Sequence, residues 1–253
     1  MRPVHEPTRR ALLDLSRRFY EESAASFDAT RQKPWPGWSR LPPFLEGSGA
    51  LRVLDAGCGN ARFGLFLAER LGRPLEYHGV DSSEGLLRHA QEVLSTALAR
   101  PGSSFKLEQE ELTAWNESTH AVQSYDLVVL FGVLHHLPSR PSRRRLLEGL
   151  LARLHPGGCL VPTWWMLHLD PRIEKKRVPW SRAPEIDVSR LESGDTLLSW
   201  QRGKAPRYVH FPAPDELEDL LHLPHAQCIE SFRSDGPSGQ DNLYRVYRRE
   251  KSS

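Results

Sequence analysis

Cysteine is scarce in this 253-residue chain: Cys58, Cys159 and Cys228 stand far apart, with neither metal-ligand nor disulfide spacing. Three scattered thiols exclude a disulfide scaffold and a cysteine zinc centre, and they suit a reducing compartment. No run of eighteen apolar residues occurs, and Met1 to Arg10 is polar, without the apolar core of a secretion signal. The expected setting is therefore the cytoplasm, with no membrane. An excess of one charge is lacking too: 34 Lys and Arg against 32 Asp and Glu leave a formal net charge of +2. So small a balance cannot announce nucleic-acid binding, and only local basic clusters can carry such a reading. Internal repeats are absent. What is present, 39% hydrophobic and 26% charged residues, is the composition of an ordinary globular protein long enough to bury a core.

The most informative stretch is Val53-Leu54-Asp55-Ala56-Gly57-Cys58-Gly59-Asn60. Arg52-Val53-Leu54 has strand character, and Gly57 and Gly59 let the backbone turn sharply and approach a ligand. Phe63, Phe66, Leu67 and Leu71 follow at helical spacing, with Gly72 as a stop. Strand, glycine turn and helix open a nucleotide-binding unit, with a helix N-terminus aimed at the ligand. A dinucleotide fingerprint wants a third small residue where Arg62 stands, which argues against NAD. A second strand, Leu75 to Val80, ends in Asp81, placed to grip ribose hydroxyls.

Further on, the alternation continues. Ser82 or Ser83 caps a helix to about Arg100, and Ser104 to Glu108 reads as a polar edge strand. Tyr125 to Phe131 is nearly continuous in apolar residues, as a central parallel strand should be. Gly132 to Leu137, with His135 and His136, leaves its carboxyl end, where open parallel sheets bind ligands. A leucine-rich helix, a His155-Pro156-Gly157-Gly158 turn and a strand from Cys159 to Trp165 follow. Residues 166–210 hold several prolines and no long periodic segment, an insertion after strand five. A helix from Pro214 to Leu221 and strands over His225–Arg233 and Asn242–Arg248 end the chain, the strands forming a hairpin. At the front, Leu12, Leu15, Phe19 and Phe27 mark the apolar face of a helix over residues 11–29.

These motifs resemble the class I S-adenosylmethionine-dependent methyltransferases, in which an Asp-x-Gly-x-Gly loop and the acid ending strand two cradle the cofactor. The resemblance implies an α/β fold: a single Rossmann-like seven-stranded sheet with helices on both faces, an N-terminal helical cap and an insertion after strand five. It implies one domain over 1–253, divided into an N-terminal helix and cap loop (1–45), a cofactor-binding core (51–165), the insertion (166–210) and a C-terminal helix and hairpin (211–250). S-adenosyl-L-methionine is then held by Asp55, Gly57, Gly59, Asp81, Ser82, Leu112 and Phe131, with Glu110 or, fitting slightly better, Glu111 at the adenine.

The flanks are more specific. Phe19-Tyr20, then Phe27 to Thr30-Arg31-Gln32-Lys33-Pro34-Trp35-Pro36, resembles the N-terminal signature of the transfer-RNA wobble-uridine carboxymethyl methyltransferases. Gly194 to Trp200 and Arg207-Tyr208-Val209-His210 through Glu218 resemble that family's tail, although the insertion is shortened and Leu243-Tyr244 replaces an aromatic pair. The resemblance implies methylation of the carboxylate of carboxymethyluridine in tRNA, and a small zinc-binding activator as a partner. Such an acceptor is already ionised at neutral pH and needs no general base. Arg31 would grip its carboxylate bidentately, Lys33 would add a point charge, and His135 or His136 would orient the substrate or stack on the uracil.

Three basic clusters are placed by the strand order to surround the pocket mouth and follow phosphates: Arg140, Arg143, Arg144 and Arg145; Arg172, Lys175, Lys176 and Arg177; Arg202, Lys204 and Arg207. Two competing readings remain, a methyltransferase for a small-molecule carboxylate and a non-catalytic methyltransferase-like scaffold. The scaffold predicts a damaged cofactor loop, whereas Asp55, Gly57, Gly59 and Asp81 are all in place.

Overall fold

A computed structural model describes residues 5–29, 33–45, 47–118, 124–167, 170–200 and 206–251, apart from the side chains of 24, 25, 27 and 28. Arg31, Arg202, Lys204 and the side chain of Phe27 thus lie outside the described residues.

The central sheet has seven strands. Five are parallel: β1 (Leu51–Ala56), β2 (Leu75–Asp81), β3 (Ser104–Gln109), β4 (Tyr125–Leu130) and β5 (Leu154–Trp165). The hairpin of β9 (Ala226–Ser234) and β10 (Asn242–Arg249) closes it antiparallel, in the order β3-β2-β1-β4-β5-β10-β9. The polar Ser104 to Gln109 run lies at one edge, as its composition requires.

Alternation along β1 and β4 sends neighbours to opposite faces. Val53, Leu127 and Val129 pack against Phe63, Leu67, Ala90 and Leu94 of α2 (Arg62–Arg70) and α3 (Glu84–Ala97). Leu54, Val128 and Leu130 pack on the other face, where Trp115, Leu147, Leu150 and Leu220 come from α4 (Leu112–Glu117), α5 (Arg140–Ala152) and α7 (Pro214–Leu221). Helices cover both faces of a Rossmann-like sheet, the fold the motifs implied.

Three expectations change. The first helix, α1 (Glu6–Ala29), begins a turn and a half before residue 11, and Leu12, Leu15 and Phe19 are its buried face. His155 to Gly158 is not a turn before strand five but lies within it. Pairing jumps from Tyr125–Leu154 to Leu127–Cys159, so those residues bulge out of β5, with Gly157 at φ 91°.

The insertion also has a sheet of its own. After the single turn of α6 (Pro171–Glu174), β6 (Arg177–Val178), β7 (Asp195–Leu198) and β8 (Arg207–His210) pair antiparallel in that order. Strands of two to four residues between prolines leave no periodic trace in the sequence. Leu12 and Leu15 of α1 pack on Leu197 and Tyr208, so the helix and the small sheet form one cover beside the carboxyl ends of β4 and β5.

Candidate active site

Asp55 ends β1 opposite Gly79 of β2 and Val129 of β4, where the strand order reverses direction and a crevice opens. Gly57 follows at φ 79°, and a Cβ there would stand 2.3 Å from Cγ2 of Val133. Only glycine allows the two loops to approach this closely. Asp81, ending β2, ties the turn together: Oδ2 accepts from the Gly59 amide at 2.8 Å and Oδ1 from the Ser83 amide at 2.9 Å.

Asp55 is buried and Asp81 half-buried, and desolvation raises both carboxyls. Asp55 is pushed up to about 7, against the pull of a 2.6 Å hydrogen bond donated by the Tyr77 hydroxyl. Two acids held at such electrostatic cost suit a cationic ligand, and S-adenosylmethionine carries both a sulfonium and an ammonium.

The crevice leads into a cavity of about 410 Å³. Its walls include Asp55, Gly57, Gly59, Asp81, Ser82, Glu111, Leu112, Phe131, His135 and His136, so ten residues singled out from the sequence meet in one space. Glu111, rather than Glu110, reaches the wall, but its carboxylate caps α4 by accepting from the amides of Thr113 and Ala114 at 3.0 and 3.2 Å. Trp35, from the proline-flanked loop, also lines the cavity, stacked 5.6 Å from Trp38 and packed on Phe131. The carboxylate of Asp235 fixes this loop by accepting from the Gly37 amide at 2.9 Å and from the buried Tyr244 hydroxyl at 2.5 Å.

His135 stacks on Trp165, with ring centroids 3.7 Å apart. His136 is held at both ring nitrogens: Nδ1 meets the Tyr208 carbonyl at 2.9 Å and Nε2 the Tyr20 hydroxyl at 2.7 Å. The carbonyl can only accept, so Nδ1 carries the hydrogen and Nε2 accepts from Tyr20.

Other expectations are corrected. Lys33 is exposed and not part of the wall: its carbonyl turns inward to accept from Arg62 at 2.7 Å, which leaves the side chain in solvent. The arginines opening α5 do not ring the mouth. Arg143 is 1% exposed and donates to Glu216 of α7 and Glu192 of the insertion at 2.5 and 2.7 Å. Arg140 and Arg144 pair with Asp219 at 3.1 and 2.8 Å. In the second cluster, Arg172 holds Asp170 and Asp241, and Arg177 holds Glu174. These cations answer nearby carboxylates, so they fasten the insertion and α7 to the core.

The residues that reading the sequence missed come mostly from α1. Arg10, Leu13, Asp14 and Arg17 line the mouth at spacings of three and four, the signature of a second functional face on that helix. Trp165 and Arg207 also reach the cavity. Arg207 was placed among phosphate contacts, but it is buried at the start of β8.

A family model described as a methyltransferase domain matches residues 54–160. A protein of Encephalitozoon cuniculi named as a methyltransferase is 30% identical over 217 residues, covering 85% of this chain and 84% of that protein. A mouse tRNA (carboxymethyluridine(34)-5-O)-methyltransferase is 28% identical over 199 residues, which cover 76% of this chain and 26% of the mouse protein. This chain therefore corresponds to about a quarter of that relative's length. A SAM-dependent methyltransferase structure from Methanosarcina mazei has a TM-score of 0.64 at 17% identity, covering 87% of this chain and all of that one, a likeness of fold. Strand order, donor cradle and relatives converge, and the chain belongs to the S-adenosylmethionine-dependent methyltransferases.

Proposed function

We propose that this methyltransferase acts on the carboxylate of carboxymethyluridine at the wobble position of tRNA, giving the methyl ester. The observation that carries this reading is the ring-lined space beyond the donor cradle, where Tyr20, Trp35, His135, His136 and Trp165 face a common cavity. Such walls suit a planar heterocycle, since stacking of a base on an aromatic ring contributes about 1–3 kcal/mol. The carboxymethyl group comes from the likeness to the mouse carboxymethyluridine methyltransferase.

Bound S-adenosylmethionine supplies an electrophilic methyl on a sulfonium. One acceptor carboxylate oxygen forms a bond to that methyl carbon as the carbon–sulfur bond breaks, and no proton moves. The chain's own task is alignment in a dry pocket. His136, with Nδ1 donating and Nε2 accepting, is held as a fixed wall rather than poised as a base. Arg10 and Arg17, from the α1 face at the mouth, are held in exposed i,i+4 pairs with Glu6 and Glu21, which a phosphate can displace. The same reading makes the protein cytoplasmic, with a small zinc-binding activator as a partner and Arg31 as a further residue at the acceptor.

One observation favours a second reading, a small-molecule carboxylic acid as acceptor. Arg140, Arg143 and Arg144 of α5 are engaged by carboxylates of the protein and leave less basic surface for RNA. Single-turnover methyl transfer separates the two, using an anticodon stem-loop bearing carboxymethyluridine beside the free nucleoside. Preference for the stem-loop by at least a hundredfold, at a rate flat from about pH 6 to 9 with saturating cofactor, is expected of an RNA enzyme with an ionised acceptor. Equal use of the free nucleoside moves the assignment to a small molecule.

A further inference from the structure

Among the described residues three arginines are buried and differently partnered: Arg153 lies over the Trp115 ring and donates to the main-chain carbonyls of Trp115 and Asn116. Arg143, 1% exposed, holds two glutamates. Arg207, 6% exposed, has no acidic partner among the described residues. Its guanidinium lies 4.9 Å from the ring centre of Trp165, 5.6 Å from Phe19 and 5.7 Å from Trp200, beside the Tyr20 side chain. The rings partly offset desolvation through their π faces, but a buried cation without a counter-ion stays costly. The same side chain lines the cavity, beside the Trp165 ring that stacks on His135.

The rings hold the guanidinium, and a short chain of hydrogen bonds holds the wall beside it. Tyr20, beside the guanidinium, turns its hydroxyl to donate to Nε2 of His136. Nδ1 of His136 then donates to the carbonyl of Tyr208, the residue next to Arg207 in β8. The chain ends on the strand that carries Arg207, and the guanidinium is held with donors to spare. A planar fork in that position matches a carboxylate better than a point charge would.

We propose that Arg207 receives the carboxylate of the methyl acceptor and sets the enzyme's preference for an anionic acceptor over its neutral isostere, an inference that rests on the carboxylate reading above. Phe19 and Trp200 hold the guanidinium from the side, Tyr20 and His136 form the wall beside it, and one carboxylate oxygen stays available to attack.

The test is calorimetric binding of carboxymethyluridine and of its neutral amide, carbamoylmethyluridine, to the protein saturated with S-adenosylhomocysteine. The native chain should favour the acid by at least thirtyfold. Arg207→Gln should bind the two alike, keep its S-adenosylhomocysteine affinity and melt no lower than the native chain, because a buried charge has been removed. A merely structural arginine would lower the melting temperature instead. Should Arg207→Gln not fold, Arg207→Lys decides: a preference reduced at least tenfold supports the proposal. An undiminished preference in either variant overturns it. Failure of the nucleoside reading leaves a different mark. Neither nucleoside then binds, while benzoate still binds the native chain in preference to benzamide and Arg207→Gln loses that difference. No preference for benzoate in the native chain overturns the role of Arg207 as well.

Discussion

Asp55 stands at the carboxyl end of β1 without access to water, and burial raises its carboxyl to about 7 while Tyr77 pulls the other way. A carboxyl raised above its unfolded value near 3.9 makes the folded chain hold the proton longer. Its contribution to stability is complete below about pH 4 and is lost as pH rises through about 7. A cationic cofactor favours the ionised form, so affinity runs in the opposite direction. Between about pH 5.5 and 7 the affinity for S-adenosylmethionine should rise with pH, by at most about tenfold per unit, and level off above. Calorimetry across that range checks it, and Asp55→Asn should flatten the curve. Gly57 makes a sharper prediction at the same scale. Its φ of 79° and the 2.3 Å from a Cβ to Val133 mean that Gly57→Val must push the two loops apart, abolishing cofactor binding while the far side of the sheet stays folded.

At the scale of elements, α5 is fastened to its surroundings through Arg143. Glu192 arrives from the insertion and Glu216 from α7, and Glu216 also accepts from His210 at 3.0 Å. Burial works against a charged His210, but its bonds to Asp195 and Glu216 outweigh that and raise its pKa. Removing one member of such a buried network leaves its partners uncompensated, at a cost of about 3–5 kcal/mol. Arg143→Ala should lose that much in urea denaturation and release the insertion to proteolysis. The sequence shows an arginine run at the start of a helix, and nothing local distinguishes a solvated face from a buried clasp. The distinction lies in carboxylates 49 and 73 residues away. The donor loop is legible for the opposite reason: Asp55, Gly57 and Gly59 are neighbours in sequence because a single turn makes most of the cradle, and Asp81 ends the very next strand. Arg207 falls between these cases, since a four-residue strand carries too little pattern to mark an inward-facing cation.

Across the whole molecule, α1 and the small sheet cover the crevice at the carboxyl ends of β4 and β5, and the cofactor loop and the aromatic wall share one cavity beneath them. The rim belongs to α1, where Arg10 and Arg17, paired at the surface with Glu6 and Glu21 but exposed, stand where a backbone would pass. If tRNA lies there, Arg10→Gln with Arg17→Gln should reduce the salt slope of tRNA affinity by about 1 to 2, while S-adenosylmethionine affinity stays unchanged. Filter binding across a salt series reads this directly, and an unaltered slope would place RNA elsewhere. The central claim, esterification of a wobble carboxylate, is tested most directly by nucleoside mass spectrometry of tRNA from the source cells with the gene removed and then restored. Removal should convert the wobble methyl ester into carboxymethyluridine, and the native gene, but not Gly57→Val, should bring the ester back. An ester-to-acid ratio that is the same with and without the gene would contradict the account.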